Sequence, residues 1–134
     1  MKTILLAHNK IGGEGAAAIA SNTTWTNLER LCLQNNEIGD KGAIAIGDNA
    51  AWSRFMELFL SSNKIDDEGA VAIGSNTTWV ELETLYLNEN EIGDKGAVAI
   101  GMNTTWRNLK QCWPKSYCAV CLVVAVPVPC RSLP

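Results

Sequence analysis

What the chain is short of narrows its chemistry. It holds a single histidine, His8, among 134 residues. Nucleophilic catalysis needs a base set beside a Ser or Cys, and no repeated position supplies one. Asp66 and Asp67 adjoin in a predicted turn where Asp67 serves to cap a helix, so they do not read as an acid–base pair. No catalytic residue is assigned, and the chain is not expected to be an enzyme. Lysine and arginine form no cluster and the net charge is -3, which argues against a nucleic-acid partner. No apolar run approaches the ~20 residues of a membrane span. The apolar opening, residues 1–7, stops at His8-Asn9-Lys10 and is read as a strand, being short for the ~7–15 apolar residues of a secretory leader. Cysteine is sparse as well: of five, only Cys32 precedes the last quarter, which holds Cys112, Cys118, Cys121 and Cys130. That spacing is no balanced disulfide framework and fits a reducing, cytoplasmic setting. No cofactor and no metal are expected.

What is there is a repeat. Asn9, Asn36, Asn63 and Asn90 stand 27 residues apart. The same interval separates Ile11, Ile38, Ile65 and Ile92; Gly15, Gly42, Gly69 and Gly96; Ile19, Ile46, Ile73 and Ile100; and Trp25, Trp52, Trp79 and Trp106. The units are 1–27, 28–54, 55–81 and 82–108, and the array is taken to run over 1–111. Each unit reads as strand, turn, helix and loop. In Leu28-Glu29-Arg30-Leu31-Cys32-Leu33, alternation puts Leu31 and Leu33 on one face and Arg30, Cys32 and Gln34 on the other. Gly42 to Gly47 predicts a helix of about two turns, N-capped by Asp40, with Asp67, Asp94 and the weaker Gly13 in equivalent places. Asn22, Asn49, Asn76 and Asn103 fit the left-handed residue that ends a helix. Ala16, Ala43, Ala70 and Ala97 let the helix lie close to the strand. One unit alone cannot bury its apolar face, so neighbours must stack around a shared core.

The run LxxLxLxxNxIxxxG, from Leu28 to Gly42, resembles the leucine-rich repeat. The Ile-Gly-Asp-Lys-Gly-Ala turn and helix resemble the ribonuclease-inhibitor-like subclass, also found in NOD-like receptors. The units are a little short for that subclass, and the helix is richer in Ala and Gly. The resemblance covers residues 1–108. It implies an α/β leucine-rich repeat solenoid, with a curved parallel sheet inside and short helices outside. It also implies that the Asn9, Asn36, Asn63 and Asn90 amides bond backbone groups in the turn after each strand. The function implied is non-catalytic protein–protein interaction through the concave strand face, with a partner protein that the sequence does not name.

Strand side chains facing away from the core are the binding candidates, because the fold does not dictate them. Leu5, Cys32, Phe59 and Tyr86 form one column, roughly 15 Å long at a ~4.8 Å strand spacing. Aromatic residues of this kind carry much of the energy in protein interfaces. Beside the column run Thr3, Arg30, Glu57 and Thr84, then Ala7, Gln34, Ser61 and Asn88, as a polar rim. Aromatic neighbours on a sheet also pack with one another for purely structural reasons.

Charges follow the repeat too. Lys10, Glu37, Lys64 and Glu91 alternate in sign along the stack, as do Glu14, Lys41, Glu68 and Lys95. They are read as internal matching, worth ~0–1 kcal/mol per pair, within a two-unit, 54-residue super-repeat. The acceptor patterns at Asn22, Asn76 and Asn103 are read as structural rather than as glycosylation sites. Residues 112–134 break the pattern and form a Cys-, Val- and Pro-rich tail. A single CxxC is a weak zinc signal, and Ala119 to Val126 is too short to span a membrane, so a non-repeat ending is preferred. Met1 opens a unit with no polar cap before it, which suggests a fragment of a longer array. The alternative function is therefore a truncated, open-ended stack with a structural role, self-associating through uncapped ends.

Overall fold

A computed structural model describes residues 1–113, and side chains through Lys110. Five parallel strands, β1 (Thr3–Leu5), β2 (Arg30–Cys32), β3 (Glu57–Phe59), β4 (Thr84–Tyr86) and β5 (Gln111–Trp113), lie side by side in chain order. Each step of register is one repeat: Ile4 lies opposite Leu31, Leu31 opposite Leu58, and Leu58 opposite Leu85. Between the strands come four helices, α1 (Gly12–Ala20), α2 (Gly39–Gly47), α3 (Asp67–Gly74) and α4 (Asp94–Gly101). The fifth strand carries the ladder through Cys112 and Trp113. The zinc, membrane and non-repeat readings of the tail concern residues 112–134, of which all but Cys112 and Trp113 lie outside those described.

Each of the three-residue strands β2, β3 and β4 turns its central side chain to the interior, and the leucine just after the strand follows it inward. Leu31, Leu33, Leu58, Leu60, Leu85 and Leu87 are buried, as are Leu28, Phe55 and Leu82, which enter each strand. Ile38, Ile65, Ile46, Ile73 and Ile100 fill the space towards the helices. Burying a leucine or isoleucine side chain stabilises the fold by about 1.5–3 kcal/mol. Trp52, Trp79 and Trp106 close the returning loop and are fully buried, while Trp25 is half-buried. Phe55 links Trp52 and Trp79, with ring centroids 5.4 and 5.3 Å away.

Successive helices pack almost backbone to backbone. A Cβ on Gly47 would stand 2.6 Å from the carbonyl carbon of Ala72, and one on Gly74 would stand 2.7 Å from that of Ala99. No larger residue fits at either place without moving the next helix.

The asparagine ladder has the role that the resemblance implies. Asn63 Nδ2 donates to Leu33 O at 2.8 Å and Leu60 O at 3.1 Å. Its Oδ1 accepts from Asn36 N at 2.9 Å. Asn36 repeats this towards Leu6 O, and Asn90 towards Leu60 O. Each amide thus ties two consecutive units.

Two local expectations are corrected. Asp40 does not cap its own helix: α2 begins at Gly39 after Ile38, with no side-chain cap, and Asp40 sits in its first turn. The carboxylate serves the next unit instead, its Oδ1 accepting from Asp66 N at 2.9 Å and Gly69 N at 3.0 Å. Asp67 does the same for Gly93 N and Gly96 N, both at 2.8 Å. These carboxylates place negative charge at the positive end of the following helix. Gly13 stands at this place in the first unit, so α2 receives no such cap, and neither Gly13 nor Asp94 caps its own helix. Within α3's own unit the cap is Asp66, whose Oδ1 accepts from Glu68 N at 2.8 Å.

The second correction concerns Asn22, Asn49, Asn76 and Asn103. None is among the residues of positive φ. Asn76 Oδ1 accepts from Thr78 N and Trp79 N, while its Nδ2 donates to Gly47 O at 2.8 Å and Asn49 O at 3.2 Å. Asn49 and Asn103 make the corresponding bonds. The column is a second, buried amide ladder at the helix C-termini. Nδ2 of Asn76 and Asn103 is engaged there, which removes the atom that glycosylation would use. Left-handed backbone falls in the turn after the strand, at His8, Asn35, Ser62 and Glu89 with φ of 56–59°.

Asp40 gives a test of the inter-unit cap. Replacing it with Ala should cost about 1–2 kcal/mol, the usual loss of an N-cap, whereas Asn keeps an acceptor oxygen. Burial raises the Asp40 carboxyl above its ordinary value, opposed by the backbone N–H of Asp66. A carboxyl whose folded pKa is raised penalises the fold when ionised, and the penalty is relieved as pH falls through the folded pKa. In urea titrations over a pH series, the wild type should therefore gain stability relative to Asp40→Asn as pH falls towards the normal carboxylate range.

Candidate functional site

The outward strand positions gather on one side of the sheet because parallel pairing keeps every column in line. Leu5 is 68% exposed, but Cys32 behind it is only 9% exposed. Cys32 therefore belongs to the floor of the face rather than to its contact surface, which corrects its place in the expected stripe. Its burial raises the thiol pKa, against the lowering effect of the Arg30 charge. Phe59 and Tyr86 are half-buried. Their rings meet edge to face with centroids 5.1 Å apart, so the two aromatics pack with one another and present a joint outer surface.

The rim residues are mostly engaged. Arg30 Nε is ion-paired with Glu57, and the hydrogen bond to that carboxylate raises the Arg30 pKa. Gln34 is half-buried, and its Oε1 is buried without a hydrogen-bond partner among the described residues. Asn88 Oδ1 accepts from Ser61 Oγ at 2.5 Å. Thr84 is buried. A shallow cavity of about 240 Å³ lies at the strand entrance, lined by Thr3, Glu29, Arg30, Met56 and Glu57.

A row of ion pairs that sequence reading missed borders this face. Lys2 meets Glu29 at 2.9 Å and Lys110 meets Glu83 at 3.0 Å, on either side of the Arg30–Glu57 pair. The signal was available: residues 2, 29, 83 and 110 stand in one column of the 27-residue period. The alternating columns form two pairs among the described residues, Lys41 with Glu14 and Lys64 with Glu37, the latter at 3.4 Å. The remaining neighbours are long, solvated side chains with little to gain from one geometry.

Among the described residues no grouping of three or more His, Cys, Asp and Glu side chains could hold a metal ion. No helix there is long and apolar enough to cross a membrane. The face sets apolar and aromatic side chains beside a margin of paired charges.

The sequence pattern of the family described as Leucine Rich repeat matches residues 1–20, 26–47, 55–74 and 82–101. No curated protein matches the chain.

Proposed function

Given that the chain belongs to the leucine-rich repeat family, whose repeats are generally protein-interaction modules, we propose that it is a non-catalytic binding module holding a partner protein on its strand face. Leu5, Phe59 and Tyr86 are the anchors, with Arg30, Glu57, Gln34 and Asn88 as the polar margin and Cys32 beneath them. One observation carries the reading: Phe59 and Tyr86 point out of a sheet whose inner face is already filled by Leu58 and Leu85. The fold does not require aromatics there, and half-exposed aromatic pairs are characteristic interface anchors. The ribonuclease-inhibitor-like subclass is the preferred placement within the family, on the helix that follows each strand. A cytoplasmic location agrees with Cys32 being a free, buried thiol.

The test is a comparison of wild type with the double variant Phe59→Ala, Tyr86→Ala. The variant should lose about 2–3 kcal/mol of fold stability, from the half-buried area of two rings and their edge-to-face contact, and still melt cooperatively. Its affinity for the protein partner captured by wild type should fall about tenfold or more, as for interface anchors. Equal capture by both proteins would reject the reading.

A further inference from the structure

Charge is divided unevenly along the stack. Residues 1–54 hold five acidic and five basic side chains, whereas residues 55–108 hold nine acidic and three basic. The acidic half is the half that carries Phe59 and Tyr86. Most carboxylates on the face are already matched, Glu57 by Arg30 and Glu83 by Lys110. Two are not: Glu89 and Glu91 are exposed and form no ion pair among the described residues. They follow the strand that ends at Tyr86, and Glu89 stands in the turn three residues on, with φ of 56°, so the two backbones are no more than about 10 Å apart. That span is within reach of one lysine or arginine side chain laid across the aromatic pair. Ser62 Oγ donates to Glu89 Oε2 at 2.7 Å, which holds the carboxylate on the unit 3 side.

Resting on the reading of this face as a partner surface, we infer that its occupant is a basic polypeptide segment. A lysine or arginine of the partner stacks on the Phe59–Tyr86 pair while Glu89 and Glu91 neutralise the charge. An aromatic ring presents a negative face to a cation, and the acidic half draws basic partners to the same place and repels acidic ones. The two effects coincide on units 3 and 4, and in the charge-balanced half the strand face offers only Leu5 and the closed-off Cys32.

The experiment uses the full chain and three fluorescent peptides of equal length, alternating Leu with Arg, Glu or Ser. Binding is followed by anisotropy at low and at raised salt. The arginine peptide should bind about tenfold or more tighter than the glutamate peptide, with the difference shrinking as salt rises. Glu89→Gln with Glu91→Gln should remove most of that difference, and circular dichroism should show the fold unchanged. Failure of the arginine peptide to bind, or an equal response to the glutamate peptide, overturns the basic-segment inference. If the glutamate or serine peptide binds and Phe59→Ala, Tyr86→Ala abolishes it, the partner surface stands and only its charge preference is wrong. If the arginine peptide binds but ignores both pairs of substitutions, the surface assignment falls as well.

Discussion

Replacing Trp79 with Ala should destabilise the protein by about 3–5 kcal/mol, the usual cost of deleting a buried aromatic side chain. Trp79 is fully buried in the third unit and packs against Phe55, which in turn touches Trp52. The substitution therefore empties a space shared by two units. Marginal domains have only about 5–15 kcal/mol to lose. In a stack where each unit rests on its neighbours, a defect in the middle also divides the array. Unfolding by urea should lose its single transition, with tryptophan fluorescence and circular dichroism no longer coinciding. Trp79→Phe is the control. The indole Nε1 is buried without a hydrogen-bond partner among the described residues, so phenylalanine keeps most of the packing and removes that donor. Its cost should be about 1 kcal/mol, in line with a modest cavity. If the Ala and Phe variants melt alike, the tryptophan column does not hold the units together.

The second large effect is expected at Asn63. Its side chain is buried, and it bonds Leu33 O, Leu60 O and the backbone N–H of Asn36 at once. Asn63→Ala leaves those backbone groups buried without partners, and each costs about 1–3 kcal/mol when no water replaces the bond. Partial relaxation and water entry reduce the sum, so a loss of about 3–4 kcal/mol is expected. Asn63→Asp separates shape from chemistry. The carboxylate still accepts from Asn36 N but no longer donates to the carbonyls, and it should be nearly as damaging. Amide hydrogen exchange at Asn36 should accelerate in the Ala variant. Unchanged protection there would show that the ladder contributes little.

Periodicity made the architecture legible because each repeated column answers to one geometric demand. Leu31, Asn36, Gly42 and Trp52 each occupy a place where one residue type fits, so their recurrence marks the units directly. Position along the chain says less about which unit a polar side chain serves. Asp40 stands where an N-cap belongs and was assigned to its own helix, yet its carboxylate reaches α3. The helices that receive such a carboxylate begin one repeat position later than the other two, at Asp67 and Asp94. The equivalents of the preceding residue, Gly12 and Gly39, are left-handed, with φ of 67° and 56°. Nothing in the local residue pattern separates a cap that acts within a unit from one that acts across units. The same ambiguity holds for the Asn49 column, since an asparagine at a helix end serves equally as a left-handed residue or as a side-chain bridge.

The outward face was legible in direction but not in depth. Alternation along the strand gives Leu5, Cys32, Phe59 and Tyr86 one orientation. It cannot say that Arg30 and Glu57 pair beside Cys32 and that the sheet leaves its sulfur little exposed. Register carries the backbone ladder one strand beyond the four units, with Trp113 paired with Tyr86.

The glycines between helices set how tightly the outer layer is wound. Where Gly47 and Gly74 stand, the backbone of the following helix already occupies the space of a side chain. The outer layer is therefore wound on a short pitch, closer to that of the strands than bulkier helices would permit. A side chain added at either place would force neighbouring helices apart and open the stack from its outer edge while the strand edge stayed closed.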